Sequence, residues 1–181
     1  MKYALTGSHG VGKTTIINEL CDYLESSDIS PIINSSNARK IKQSGRTIND
    51  SGDDIVQMIV ECSHVSKFCE DNWFADRSVL DGYAYTKYLH TSGKVSDEVM
   101  NVVHKLMSTF VKLYDVIFYI PVEFDMIKDG VRKEDGQFQK DIDKIIFNTM
   151  YDNNVNFHTI TGSIEERVEK IKSIIHPHFD F

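Results

Sequence analysis

Eight residues, Gly7-Ser8-His9-Gly10-Val11-Gly12-Lys13-Thr14, constrain this chain more than any others. They fit the pattern G-x-x-x-x-G-K-S/T, with Thr15 behind them. They join an apolar run, Lys2–Thr6, to a helical period carried by Ile16, Ile17, Leu20, Cys21 and Leu24. Glycines at this spacing let the backbone turn tightly and aim successive N–H groups at one anion, while the following helix presents its positive end. The mechanism needs a strand-to-helix junction, so the segment commits the chain to an α/β architecture. The pattern assigns the backbone from Gly7 to Thr15 to cradling phosphates. Lys13 would reach the β- and γ-phosphates of a nucleoside triphosphate, and the Thr14 hydroxyl would ligate Mg²⁺.

The remaining pattern extends the same architecture. Short apolar runs at Ser30–Asn34, Asn72–Asp76, Val116–Ile120 and Val155–Ile160 read as four further strands, with Pro31 suiting an edge strand. Between them, Ile55, Met58, Ile59, Cys62 and Cys69 mark a helix. Val99, Val102, Val103, Leu106, Phe110 and Val111 mark a long amphipathic one, and Ile142, Ile145, Ile146 and Thr149 another. Ser163 followed by Glu166 is a capping-box signature opening a last helix with Ile164, Val168, Ile171 and Ile175. Strands separated by helices predict a mainly parallel sheet covered on both faces. With 181 residues and no internal repeat or linker, residues 1–181 are expected to form one domain.

Charge bears on what such a loop can bind. Twenty Lys and Arg against 27 Asp and Glu leave a net −7, so the overall field repels phosphate and a polyanion must be held by a local site. A long nucleic acid is therefore the less favoured partner. Three cysteines in loose spacing disfavour a disulfide framework or zinc site and suit a reducing compartment. The longest apolar run, Val116 to Val122, falls far short of the roughly 20 residues that span a bilayer. The expectation is a cytoplasmic protein with no membrane partner. The Val99–Val111 helix is available for a homodimer once the core has made its claim.

Three more segments carry chemistry. Asp76-Arg77-Ser78 ends the third expected strand, where open α/β sheets bind ligands. Asp76 there could hold Mg²⁺ or take a proton from an acceptor hydroxyl, and Arg77 could clamp phosphate oxygens with a fork that Lys cannot copy. Asp81 and Tyr85 follow on the next helix as candidates for holding an acceptor. Arg39, Lys40, Lys42 and Arg46 form a basic stretch with no acid between them. Lys128-Asp129-Gly130-Val131-Arg132 is polar and glycine-containing, and follows the fourth expected strand. Absences also matter: the sequence has no Asp-x-x-Gly and no Asn/Thr-Lys-x-Asp, which disfavours a guanine-nucleotide switch.

These segments resemble P-loop nucleoside and nucleotide kinases. Asp76, Arg77, Ala84 and Tyr85 match the Asp-Arg-Tyr-x-x-Ser-x-x-Ala-Tyr signature of thymidylate kinases, with Ser78 and Asp81 departing from it. Asp76-Arg77-Ser78 is as close to the Glu/Asp-Arg-Ser segment of deoxynucleoside kinases. The layout of nearly the whole chain is similar to NadR-type ribosylnicotinamide kinase-like AAA domains. The resemblance implies a three-layer α/β/α sandwich with a five-stranded parallel sheet, of the P-loop nucleotide-kinase type. It implies ATP and Mg²⁺ as cofactors, a mobile lid around 126–140, and a catalytic set of Lys13, Asp76, Arg77 and Arg132. The acceptor would be held by Arg39, Arg77, Asp81 and Tyr85, and the metal by Thr14 and Asp76.

One departure bears on the acceptor. Where the family commonly has Glu-x-Ala-Arg, this chain has Ser36-Asn37-Ala38-Arg39. That Glu serves an acceptor hydroxyl in nucleoside kinases, whereas a phosphate acceptor is already an anion and needs no base. The expectation is therefore a kinase for a nucleotide-like acceptor, a (deoxy)nucleoside monophosphate. Two alternatives stay open. One is a kinase for a hydroxyl on a nucleoside, ribosyl-pyridine, or nucleic-acid end or base, which requires a replacement base at Asp76 or Asp81. The other is a non-catalytic nucleotide-binding regulatory module.

Overall fold

The structure, a computed structural model, describes residues 1–33, 41, 43, 45–48, 51–123 and 136–178. Five strands, β1 (Lys2–Thr6), β2 (Ser30–Ile32), β3 (Trp73–Asp76), β4 (Val116–Tyr119) and β5 (Phe157–Thr159), form one sheet in the order β2-β3-β1-β4-β5. Every pairing is parallel, with Leu5 opposite Asp76 and Thr6 opposite Tyr119. Pro31 lies in β2 at one edge, where its missing N–H interrupts no internal ladder. β1 matches its apolar run, and the other four strands are shorter than theirs. Asn72 takes a positive φ of 54° just before β3, and its carbonyl still accepts from the Ser30 N–H at 2.8 Å.

Six helices of eight or more residues lie among the described residues: α1 (Lys13–Ser26), α2 (Asp54–Val65), α3 (Val79–Thr91), α4 (Asp97–Phe110), α5 (Gly136–Asp152) and α6 (Ile164–Ile175). Side chains alternate along the strands, so each face of the sheet gathers its own core. Tyr3, Leu5, Phe74 and Phe118 pack with Ile16, Ile17 and Leu20 of α1 and Val168, Ile171 and Ile175 of α6. Ile117 and Tyr119 point the other way, into Leu80 and Ala84 of α3, Val103 and Met107 of α4, and Ile142 and Ile146 of α5. The result is the expected three-layer sandwich. The capping box at Ser163 and Glu166 is present as the spacing predicts. Among the described residues no helix is long and apolar enough to cross a membrane.

One helix differs from its sequence reading. Of the predicted apolar face of α2, Ile55 (51% exposed), Ile59 (44%) and Cys62 point outward, and only Met58 packs partly buried against the core. Its buried face is instead Val56, Gln57, Glu61 and His64. The periodicity identifies a helix correctly, but the face turned toward α3 is largely polar.

Candidate active site

The loop between β1 and α1 is held by close backbone packing. Gly7 has φ +152°, and a Cβ on it would stand 2.4 Å from the Ile120 carbonyl oxygen at the end of β4. Gly12, at the N-cap of α1, has φ +90°, a left-handed conformation that glycine adopts at no steric cost. Lys13 opens the helix, buried, and its Nζ donates to the Gly7 and Ser8 carbonyls at 2.6 Å each. Burial pushes its pKa down to about 7, with the Arg77 charge adding to the effect. An anion in the loop would favour the charged ammonium.

A second group forms where β3 ends beside β1. Thr14 Oγ1 donates to Asp76 Oδ2 at 2.7 Å, so a hydroxyl and a carboxylate meet at the mouth of the loop. Arg77 follows with φ +96°, unusual for a residue with a side chain, and its N–H donates to Leu5 O at 3.0 Å. Ser78 caps α3 in a capping box with Asp81. The Asp81 carboxylate, 1% exposed, is fully engaged. Oδ2 accepts from Thr6 Oγ1 (2.6 Å) and Ser78 N (2.9 Å), while Oδ1 accepts from Arg77 at 3.2 Å. The Arg77 guanidinium also lies 5.7 Å over the Tyr85 ring. Burial disfavours its charge, but Tyr85, Asp81 and Asp76 outweigh that and hold the pKa above its ordinary value.

Tyr85 ties this group back to the loop. The His9 N–H donates to the Tyr85 hydroxyl at 3.1 Å, and His9 Nδ1 lies 3.0 Å from the same oxygen. Gln139 of α5 donates to the His9 carbonyl at 2.7 Å, and the Phe138 ring lies 5.2 Å from the imidazole. One loop residue thus links α3 with the start of α5, which follows residues 126–135 of the expected lid.

The expected residues Lys13, Thr14, Asp76, Arg77, Asp81 and Tyr85 converge at the C-terminal ends of β1 and β3, outside which open α/β sheets bind ligands. Thr15 is exposed on α1. Arg39 and Arg132 lie outside the described residues, as do Ser36 and residues 126–135 of the lid. Thr14 and Asp76 supply the hard oxygen donors that suit Mg²⁺, which needs only one or two protein ligands beside phosphates and water.

The structure adds residues that sequence reasoning misses. Arg167 of α6, buried, donates to Gly162 O (2.8 Å) and Val11 O (2.9 Å) and pairs with Glu123. It fixes the loop from the side opposite Tyr85. Lys67, in the 3₁₀ turn Ser66–Cys69, donates to Arg77 O at 3.1 Å. Glu61 is fully buried, and neither carboxylate oxygen has a hydrogen-bond partner among the described residues. Burial pushes its pKa well up, the Asp81 charge adds to this, and Lys67 opposes it. The inverted face of α2 is the signal for Glu61. For Arg167 the sequence carries none, because its acceptor at Val11 is far along the chain.

A family model described as an AAA domain matches residues 2–167. No curated protein matches the chain by sequence. Among solved structures, a deoxyadenosine kinase from M. mycoides, with the products dCMP and dCDP, superimposes with a TM-score of 0.70. It is 18% identical, and the match covers 99% of this chain and 100% of that one. YorR from Bacillus subtilis, in complex with phosphorylated GDP, gives a TM-score of 0.58 at 16% identity, covering 99% of each chain. NadR in complex with NR gives 0.70 at 16% identity, covering 96% of this chain and 50% of that one. At these identities the likeness is one of fold.

Proposed function

The chain belongs to the AAA-domain family, and from that premise we propose that it is an ATP-dependent phosphotransferase for a nucleotide-like acceptor, a (deoxy)nucleoside monophosphate. The observation that carries this reading is the meeting of Lys13, the Thr14–Asp76 pair and the charged Arg77 guanidinium at one end of the sheet. Phosphoryl transfer asks a protein mainly to position and to stabilise charge. The loop amides and Lys13 hold the donor phosphates. Thr14 and Asp76 would hold Mg²⁺, which neutralises charge on the donor oxygens when bound. Arg77, oriented by Asp81 and Tyr85, holds the acceptor phosphate, with Arg39 and Arg132 contributing from their segments. Asp81 is an orienting group in this scheme, because its oxygens already accept from Thr6, Ser78 and Arg77. A phosphate acceptor needs no base, which agrees with that engagement.

A second reading, transfer to a nucleoside hydroxyl, is favoured by the likeness in fold to a deoxyadenosine kinase over the whole chain. It makes Asp76 the proton acceptor. The two separate in one assay. Purified protein with labelled ATP and Mg²⁺ is offered nucleosides, nucleoside monophosphates, and DNA or RNA oligomers, with Lys13→Ala as control. Label on monophosphates alone supports the first reading, and label on nucleosides the second. Nucleotide binding that Lys13→Ala abolishes, without transfer to any acceptor, leaves the chain a non-catalytic nucleotide-binding module.

A further inference from the structure

Arg77 must project from a backbone conformation that residues with side chains rarely adopt. Two hydrogen bonds fix that backbone. Its N–H donates to Leu5 O of β1 at 3.0 Å, and its carbonyl accepts from Lys67 Nζ at 3.1 Å. The first bond extends the β1–β3 ladder by one residue. The second comes from a side chain with no part in any ladder, 5% exposed, entering from the 3₁₀ turn between α2 and β3.

A buried ammonium is costly unless its charge and its protons are used. Here the protons serve one carbonyl, and the charge is answered from three elements. Asp81 of α3 and Asp76 at the end of β3 attract it, Glu61 of α2 adds to this only when ionised, and Arg77 repels it. Burial still pushes its pKa down, to about 8. An apolar side chain would fill the same space without these costs, so packing alone does not account for a lysine here.

We propose that Lys67 is a positioning residue for phosphoryl transfer: by holding the Arg77 carbonyl it sets the direction in which the guanidinium leaves the end of β3, between Asp81 and the Tyr85 ring. The inference rests on the reading that Arg77 handles phosphate. Lys67 itself touches neither donor nor acceptor in this scheme, so its effect must pass through Arg77.

A double-mutant cycle on the full chain tests this. Lys67→Met is expected to lower kcat/KM for the acceptor by about 10- to 100-fold while changing KM for ATP less than about twofold. Lys67→Arg, which restores a charged donor, is expected to recover most of the loss. In an Arg77→Ala background, Lys67→Met is expected to cost less than about twofold, since the group it positions is gone. Equal losses in both backgrounds, or wild-type kinetics in Lys67→Met, overturn the proposal while the role of Arg77 stands. Full activity in Arg77→Ala overturns that role instead. A readout independent of turnover is the Arg77 Nε–H resonance, assigned by its disappearance in Arg77→Ala. It should shift or broaden in Lys67→Met and return in Lys67→Arg; an unmoved resonance sinks the proposal. If Lys67→Met does not fold, Lys67→Gln, which keeps a neutral N–H donor, takes its place with the same expectations reduced in size.

Discussion

Arg167 Nη1 donates to the Val11 carbonyl at 2.9 Å, joining the last described α-helix to the middle of the phosphate loop across 156 positions of sequence. The same guanidinium donates to Gly162 O and pairs with Glu123, so three acceptors share one fork. Arg167→Met would remove this buried donor from the partly buried Val11 and Gly162 carbonyls, while the more exposed Glu123 carboxylate keeps the Gly162 N–H. The expected loss is about 1–3 kcal/mol of stability, mostly from the two carbonyls, read as a lower midpoint in urea, with weaker ATP binding by calorimetry. Arg167→Lys should recover only part, because a point charge cannot donate in three fixed directions. ATP affinity unchanged in Arg167→Met would show that the loop keeps its shape without this clamp.

Glu61 gives stability a pH dependence whose sign can be worked out. Its folded pKa lies well above the ordinary carboxylate value because it is buried, with Asp81 adding like charge. Above the unfolded pKa the native state keeps a proton that the unfolded chain releases. This group's contribution therefore falls as pH rises from about 4.5 toward the folded pKa. Glu61→Gln cannot ionise and keeps the shape. Its thermal midpoint should exceed that of the wild type by an amount that grows as pH rises above about 4.5 toward the folded pKa of Glu61. A constant difference over that range would mean that Glu61 is not held protonated.

Glu61 also marks where the sequence stops being legible. Helical periodicity locates α2, but the usual inference from periodicity to burial puts Ile55 and Ile59 inside, and the structure puts Gln57, Glu61 and His64 there. A helix beside a polar site can turn its polar face inward, and no local pattern announces that. The phosphate loop, β4 and the Ser163–Glu166 capping box are legible because their physics is local: turn geometry, one buried strand, and one pair of reciprocal bonds. Asp81 lies between these cases. The spacing Ser78-Val79-Leu80-Asp81 is itself a capping signature, and its carboxylate performs that local task as well as orienting Arg77. Lys67 and Arg167 act on carbonyls of distant segments, which side-chain patterns cannot express.

Tyr85 joins the donor loop to the acceptor side through one hydroxyl, which accepts from His9 N–H while its ring lies under Arg77. Tyr85→Phe removes the hydroxyl and keeps the ring against Phe138. The fold should lose about 1 kcal/mol, the usual net worth of such a bond. The larger expected effect is on turnover, about tenfold lower at saturating ATP and acceptor, because the loop and Arg77 are no longer held in register. Stopped-flow and steady-state rates on the two proteins decide it. A change in KM alone would make Tyr85 a contributor to binding and not to alignment.

Gly82 is where the polar face of α2 meets α3. A Cβ at this position would lie 1.9 Å from Glu61 Oε2 and 3.2 Å from His64 Cδ2, within a space where both side chains are buried. Gly82→Ala gains helix propensity, and at an exposed helical site that would stabilise by roughly 1 kcal/mol. Here the overlap should outweigh the gain, for a net loss of about 1–3 kcal/mol. Shortening the opposing chain relieves the overlap. Glu61→Asp combined with Gly82→Ala is therefore expected to be more stable than Gly82→Ala alone, measured by urea denaturation of the four proteins of the cycle. Additive losses would show that Gly82 is needed for some reason other than room for Glu61.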